Sequence, residues 1–338
     1  MSDIEKQPIQ DFANAVNLIR ETRSRVFSYA NKQLVSLYWE FGRFVSAKVS
    51  DANWGKGVVK QLADYIQKEE PGVKGFSDKN IWRMKQFYET YKDNEKLSTL
   101  LRVLSWSHNC LIISRCKTEE EREFYLRLAS AETLSFRELD RQISSSLYER
   151  SIADNKKLSP VVRVLHPTAD KIFKDKYIFE FLDLPHNHDE SDLRRSLVAN
   201  LKKFILELGR DFTFVGEEYR VQVGNSDFFI DLLFFHRELQ CLVAFELKID
   251  KFKPEFLGKL EFYLEALDRD VRKSHEKPSI GVLLCKDKDD EVVEYALSRS
   301  VSPAVIAQYE TKLIPKEVLR NKLHEFAMLA EDNDDKTF

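Results

Sequence analysis

Apolar residues recur at helical spacing through the first 150 residues and at strand spacing after about 190. Val16, Ile19, Val26, Ala30, Leu34, Leu37, Tyr38 and Phe41 describe one long amphipathic helix over 14–48 that runs past Gly42. A second helix follows the Trp54-Gly55-Lys56-Gly57 turn, carries Val58, Leu62, Tyr65 and Ile66, and stops at Pro71-Gly72. Ser77 is placed to cap a third, with Ile81, Met84, Phe87, Tyr88 and Tyr91 on its apolar face. This pair is compatible with a helix-turn-helix whose second member displays Lys79, Asn80, Arg83, Lys85 and Gln86 to phosphates or base edges. A plain helical hairpin with a charged solvent face fits the same pattern. Further helices are expected over 97–113, 118–129 and 135–148. Ser135 and Glu138 stand at capping-box spacing in the last, where Arg137, Arg141 and Arg150 add positive charge.

Between 150 and 190 the periodicity fades, and Pro160, Pro167 and Pro185 mark a connecting region with a short apolar piece at 177–184. The pattern then becomes mixed. A helix over 192–208 carries Leu193, Leu197, Leu201, Phe204, Ile205 and Leu208 and ends at Gly209. Strands are expected near 212–215, 218–223, 227–235 and 240–248, followed by a helix over 254–267. A buried strand at 279–285, parallel to a neighbour because a helix precedes it, leads to a helix near 289–297 and a strand near 303–308.

Two of these strands carry charges where apolar residues are expected. Asp231 interrupts Phe228-Phe229-Ile230-Asp231-Leu232-Leu233-Phe234-Phe235, and Glu246 and Lys248 end Leu242-Val243-Ala244-Phe245-Glu246-Leu247-Lys248. A carboxylate in so apolar a run is costly unless a cation or hydrogen bonds meet it. Strand parity puts Glu246 and Lys248 on the face of Ala244, with Phe245 and Leu247 opposite. If the strands are antiparallel neighbours joined near 236–239, Asp231 and Glu246 face each other with Lys248 alongside. Two carboxylates suit a hard divalent cation such as magnesium, and an adjacent lysine can orient a water and neutralise a phosphoryl oxygen. An internal salt bridge in a large sheet is the plainer alternative.

The chain of 338 residues is long enough for two domains and carries a net charge of −3. Its halves differ: residues 1–150 sum to about +3 and the remainder to about −6, which favours the first half for contact with phosphates. No apolar run approaches the ~20 residues of a membrane span, and the N-terminus lacks a signal pattern, so a cytoplasmic, membrane-free protein is expected. Cys110, Cys116, Cys241 and Cys285 have no paired spacing and read as buried thiols. His186 and His188 read as part of a polar loop.

These motifs resemble the PD-(D/E)xK nuclease superfamily, and more closely its YhcG-type family. The likeness runs through Leu206-Glu207-Leu208-Gly209, Phe214-Val215-Gly216, Ile230-Asp231-Leu232, Phe245-Glu246-Leu247-Lys248, Gly258-Lys259-Leu260-Glu261 and Ile280-Gly281-Val282-Leu283. The first half resembles the DUF1016 N-terminal domain through Trp54-Gly55, Gly75-Phe76-Ser77, Leu104-Ser105-Trp106-Ser107-His108 and Arg137-Glu138-Leu139. The resemblance implies an α+β chain: an all-helical, helix-turn-helix-like N-terminal domain (1–150), a linker (151–190) and an α/β restriction-endonuclease-like domain with a mixed central sheet (191–325). An acidic, flexible tail (326–338) would follow.

It further implies a nuclease using Mg2+ or Mn2+, with nucleic acid, DNA in the first instance, as substrate. Asp231 and Glu246 would hold the metal with the Leu247 carbonyl, and Lys248 would be the activating lysine. Glu207 is either a further acidic member or a solvent-facing helix residue. Two positions depart from the family pattern: Lys259 stands where Gln is usual, and Arg194 where Glu is. They keep open a weakly active nucleic-acid-binding protein on a nuclease scaffold, and, more remotely, a helical adaptor for another partner. The helix at 14–48 leaves a homodimer open.

Overall fold

The computed structural model describes residues 3–51, 54–152, 156–185 and 187–313. The expected acidic tail, the end of the 191–325 domain and His186 lie outside the described residues. The chain divides between Ile143 and Ser144 into two compact units, so Arg150, grouped with the first domain by its sequence, packs in the second.

The first unit is helical: α1 (Asp3–Ser50), α2 (Lys56–Glu69), α3 (Asp78–Tyr91), α4 (Ser98–Val103), α5 (Trp106–Arg115), α6 (Glu119–Ala131) and α7 (Phe136–Ser144). Helix α1 passes Gly42 without a break, and that glycine is where α1 meets α3: a Cβ there would clash with the Met84 carbonyl oxygen. Aromatic rings fill the space beside it, with Trp106 at 4.7 Å from Tyr38 and Phe87 at 5.6 Å from Trp39, edge to face. Ser77 caps α3 by accepting from the Asn80 amide. The connector from α2 to α3 spans residues 70–77, longer than the three or four residues of a helix-turn-helix turn.

The helix expected over 97–113 is two helices. Ser105 accepts from the His108 amide and starts α5, while the Asn109 side chain donates to the Leu101 carbonyl at 2.9 Å, satisfying a group freed by the break. The expected 135–148 helix likewise breaks, at Ser146, whose φ is +54°. Beyond the break lie α8 (Leu147–Ile152), β1 (Lys157–Leu158), α9 (Pro160–Leu165), α10 (Ala169–Ile172) and β2 (Lys176–Ile178).

The rest of the second unit runs α11 (Glu190–Ala199), α12 (Leu201–Leu208), β3 (Phe212–Val223), β4 (Ser226–His236), β5 (Cys241–Lys251), α13 (Phe256–Ala266), β6 (Ile280–Asp287), α14 (Asp290–Ser298) and β7 (Ala304–Glu310). The sheet order is β1-β7-β6-β5-β4-β3, with β2 also on β7. Strands β3, β4 and β5 form an antiparallel meander, whereas β5, β6 and β7 are parallel and need the crossovers α13 and α14. Phe204 of α12 packs on Phe234 and Phe245 on one face, and Tyr263 and Leu264 of α13 cluster with Ile230, Leu233 and Ala244 on the other. The expected 192–208 helix bends at Asn200 into α11 and α12. The two short strands expected over 212–223 are one strand with a bulge between Phe214 and Gly216. The 177–184 piece docks here: Tyr177, Ile178 and Phe179 are fully buried.

Glu207 is also fully buried and faces no solvent. Its Oε1 accepts from Arg150 Nη1 at 3.1 Å and from the Ile178 amide at 3.0 Å, with Lys174 Nζ at 3.7 Å. This knot fastens α8 and β2 to α12. Burial pushes the thiols up, Cys110 to about 11 and Cys241 and Cys285 to about 12, and these three are free cysteines. No described helix is long and apolar enough to cross a membrane.

All four tryptophans (39, 54, 82 and 106) lie in the first unit, so their fluorescence follows that unit alone while circular dichroism follows both. Gly42→Ala should cost about 3 kcal/mol by overpacking α1 on α3, shifting the fluorescence transition in urea to lower concentration. Arg150→Ala leaves a buried carboxylate short of a partner and should cost about 3 kcal/mol, shifting the dichroism transition but not the fluorescence one.

Candidate active site

The register of β4 against β5 builds the site. Leu232 pairs with Phe245, so Asp231 and Glu246 stand next in line on facing strands, just where the ladder ends. With that ladder open, the Leu247 amide donates to Asp231 Oδ2 at 2.8 Å. N–H and C=O of one strand residue project to the same edge, so the Leu247 carbonyl faces the Asp231 side as well. Two residues along β5, on the parity that Glu246 sets, Lys248 Nζ lies 3.0 Å from Glu246 Oε1. Helix α13 brings Lys259 Nζ to 2.6 Å from the same oxygen. Helix α11 contributes Glu190, which accepts from Lys248 at 2.9 Å, and Arg194, 3.5 Å from Asp231 Oδ1 and 2.8 Å from Glu218 of β3.

Burial and opposite charges compete in the electrostatics. The Glu246 side chain is 1% exposed, and desolvation, then the Asp231 charge, raise its pKa against the opposing pull of Lys259 and Lys248. For Lys259, burial disfavours the ammonium, but the Glu246 hydrogen bond and charge outweigh it and lift the pKa to about 12. Lys248 follows the same logic: burial works against its charge, and Glu190 and Glu246 raise its pKa. Lys248 thus stands as a hydrogen-bond donor and a source of positive charge between Glu190 and Glu246.

The oxygens are used unequally. Glu246 Oε1 meets two ammonium groups, while Oε2 is buried without a partner. Asp231 Oδ2 is taken by the Leu247 amide, while Oδ1 has the long contact to Arg194. An unpartnered buried carboxylate oxygen beside a second carboxylate is a demand for a cation. Asp231 Oδ1, Glu246 Oε2 and the Leu247 carbonyl are hard oxygen donors of the kind Mg2+ or Mn2+ takes, with water filling the remaining positions. No group of three or more His, Cys, Asp or Glu side chains placed to hold a metal occurs among the described residues.

Of the other residues singled out in the sequence, Glu207 is held by its own cations, as described above. On α3, Asn80 uses both ends of its amide inside the unit, donating to the Gly75 carbonyl at 2.5 Å and accepting from Trp106 Nε1 at 2.9 Å. Lys85 pairs with Glu89 at 2.6 Å. Lys79 and Arg83 are exposed, with Gln86 on the same side of the helix. In the sequence Glu190 stands out only beside His186, His188 and Asp189 in a run read as a polar loop, and Glu218 is not singled out. Glu190 falls within the polar run after Pro185, and its signal is the one-turn spacing to Arg194. Glu218 is the first residue of the strand expected over 218–223, just beyond the bulge at Gly216 that joins it to the preceding piece.

Residues 170–324 match the family model for the YhcG PDDEXK nuclease domain, and residues 14–150 match the DUF1016 N-terminal domain. An Escherichia coli (strain K12) protein named "Putative nuclease YhcG" is 28% identical, with 91% of each chain covered. Among solved structures, a repair endonuclease from Pyrococcus abyssi is 11% identical over 39% of this chain and 50% of that one, with a TM-score of 0.26. EndoMS in complex with dsDNA is 14% identical over 38% and 48%, with a TM-score of 0.27. This chain spans about half the length of those structures, and overlaps so partial bear on neither substrate nor mechanism.

Proposed function

The chain, a DUF1016 N-terminal domain followed by a YhcG PDDEXK nuclease domain, belongs to the YhcG-type PD-(D/E)xK nuclease family, and on that premise we propose that it hydrolyses phosphodiester bonds of DNA with Mg2+ or Mn2+. The observation that carries this reading is the buried Glu246 with one oxygen unfilled, opposite Asp231 and 3.0 Å from Lys248. Asp231, Glu246 and the Leu247 carbonyl would hold the metal, which supplies Lewis acidity at a phosphoryl oxygen and an acidified water. Lys248, kept charged by two carboxylates, orients that water by donating a hydrogen bond and offsets the negative charge that grows on the phosphoryl group. Lys259, about half exposed at 48%, is placed to meet a substrate phosphate.

In the first unit, the exposed Lys79 and Arg83 of α3 offer cations to a phosphate backbone. The side chains of Ile19, Val26 and Phe27, which α1 leaves exposed, offer a face to a second copy. The free thiols of Cys110, Cys241 and Cys285 suit a reducing, cytoplasmic setting. A second reading has one observation in its favour. Arg194 and Lys259 already meet the two carboxylates, as expected of a scaffold that binds nucleic acid but cuts it slowly.

Purified chain should nick or cut DNA with Mg2+ or Mn2+ and stop on chelation. Asp231→Asn, Glu246→Gln and Lys248→Ala should each lower the rate by about a hundredfold or more. Cleavage that survives chelator, or is unchanged in Glu246→Gln, defeats the proposal; binding without cleavage by the unaltered chain supports the second reading. Lys79→Ala and Arg83→Ala should weaken DNA binding alike on all sequences, each reducing the salt slope by about 1. A salt titration of binding by fluorescence anisotropy reads this directly.

A further inference from the structure

Arg194 stands between two carboxylates and is held unequally by them. Its Nη2 is 2.8 Å from Glu218 Oε1, whereas its Nη1 is 3.5 Å from Asp231 Oδ1, the long limit of a hydrogen bond. Its Nη2 also lies 3.4 Å from Ser191 Oγ, and its Nε is buried without a partner. The guanidinium is thus drawn toward Glu218, and the fork that could clasp Asp231 with two parallel hydrogen bonds is not closed on it.

Glu218 takes this position at a backbone cost. It lies on β3 between Glu217, paired with Leu232, and Tyr219, paired with Ile230, which sets it across from Asp231. Its φ is +43°, a left-handed conformation that side chains with a Cβ disfavour. Such strain beside a functional site persists only where the surroundings fix it. Here it accompanies a carboxylate, itself 60% exposed, that reaches a largely buried arginine.

Asp231 Oδ1 is the oxygen left to a metal once the Leu247 amide has taken Oδ2. A cation entering there competes with Arg194 for that atom. We propose that Glu218 is a positioning residue that holds Arg194 off Asp231 Oδ1, so that the Arg194–Glu218 pair sets the affinity of the Asp231–Glu246 site for a divalent cation. This rests on the metal-site reading above and adds a control to it: the arginine that departs from the family pattern is kept from closing the site by a carboxylate on the neighbouring strand.

Calorimetric titration of the full-length chain with Mn2+ tests the pair without reference to cleavage. Glu218→Gln should weaken Mn2+ binding by about three- to fivefold, the size of a partly exposed charge pair, and Arg194→Gln should tighten it. With Arg194→Gln already present, Glu218→Gln should add no further change, because it acts through the arginine. Equal weakening in both backgrounds would mean that Glu218 acts by its own charge and would overturn the proposal, as would no effect of Glu218→Gln on the unaltered chain. Asp231→Asn separates the two levels. Mn2+ binding that Asp231→Asn abolishes and Glu218→Gln leaves untouched overturns the positioning role alone, whereas absence of Mn2+ binding by the unaltered chain overturns the metal site with it. Circular dichroism melting of each variant confirms that it is folded.

Discussion

Glu246 is a carboxylate taken out of water in the middle of a mixed sheet, and the second unit is arranged around the cost of doing so. Its cations come from different levels of structure. Lys248 is fixed by the two-residue period of its own strand. Lys259 depends on topology: β6 runs parallel to β5, a parallel neighbour requires a crossover, and the crossover helix α13 carries Lys259 back over Glu246. An antiparallel β6 joined by a hairpin would leave Glu246 with one ammonium fewer. The change from antiparallel to parallel pairing at β5 therefore both organises the sheet and makes its buried charge tolerable.

Each carboxylate of the pair divides its oxygens between two tasks. Asp231 Oδ2 closes the backbone at the point where the β4–β5 ladder stops, and Glu246 Oε1 collects the two lysines. Asp231 Oδ1 and Glu246 Oε2 remain, one loosely held and one unpartnered. The first set holds the site together without a ligand. The second keeps two oxygens from being fully satisfied, a stability cost of the kind that functional sites carry. Lysines that neutralised all four oxygens would give a more stable and chemically idle sheet.

The parts legible in the sequence are those governed by a short period. Alternation in 240–248 places Glu246 and Lys248 on one face and Phe245 and Leu247 on the other, and the structure has that parity. Ser77 and the Ser135–Glu138 box announce helix starts that occur as expected. What was hidden depends on choices that periodicity does not encode. Ser105, Ser146 and Asn200 interrupt apolar stripes that continue on both sides, because local polar side chains and a left-handed residue offer the backbone an alternative to the helix. Asn80 looked like a residue for reading a ligand because it is polar on a charged helix, and it is instead a brace between Gly75 and Trp106. Glu190 and Glu218 join the site through tertiary contacts over long sequence separations.

Glu207 and Glu246 make the same point from within one unit. Both are glutamates with no exposed surface, both sit in apolar stretches, and both have two cations within 4 Å. The sequence sets Glu246 apart by the Lys248 two residues on along its strand and leaves Glu207 between two roles. The difference lies in how the cations are supported. Glu207 receives a backbone amide and an arginine that is itself bonded to the Lys176 and Ser145 carbonyls, so moving any member breaks several hydrogen bonds at once. Glu246 receives two lysines on one oxygen, one of them half exposed, and nothing on the other. A carboxylate braced by backbone and by an immobilised arginine is a structural fixture. One compensated by ammonium groups at the ends of flexible stems is held more loosely, and that asymmetry, rather than burial or charge alone, distinguishes the surroundings of Glu246 from those of Glu207.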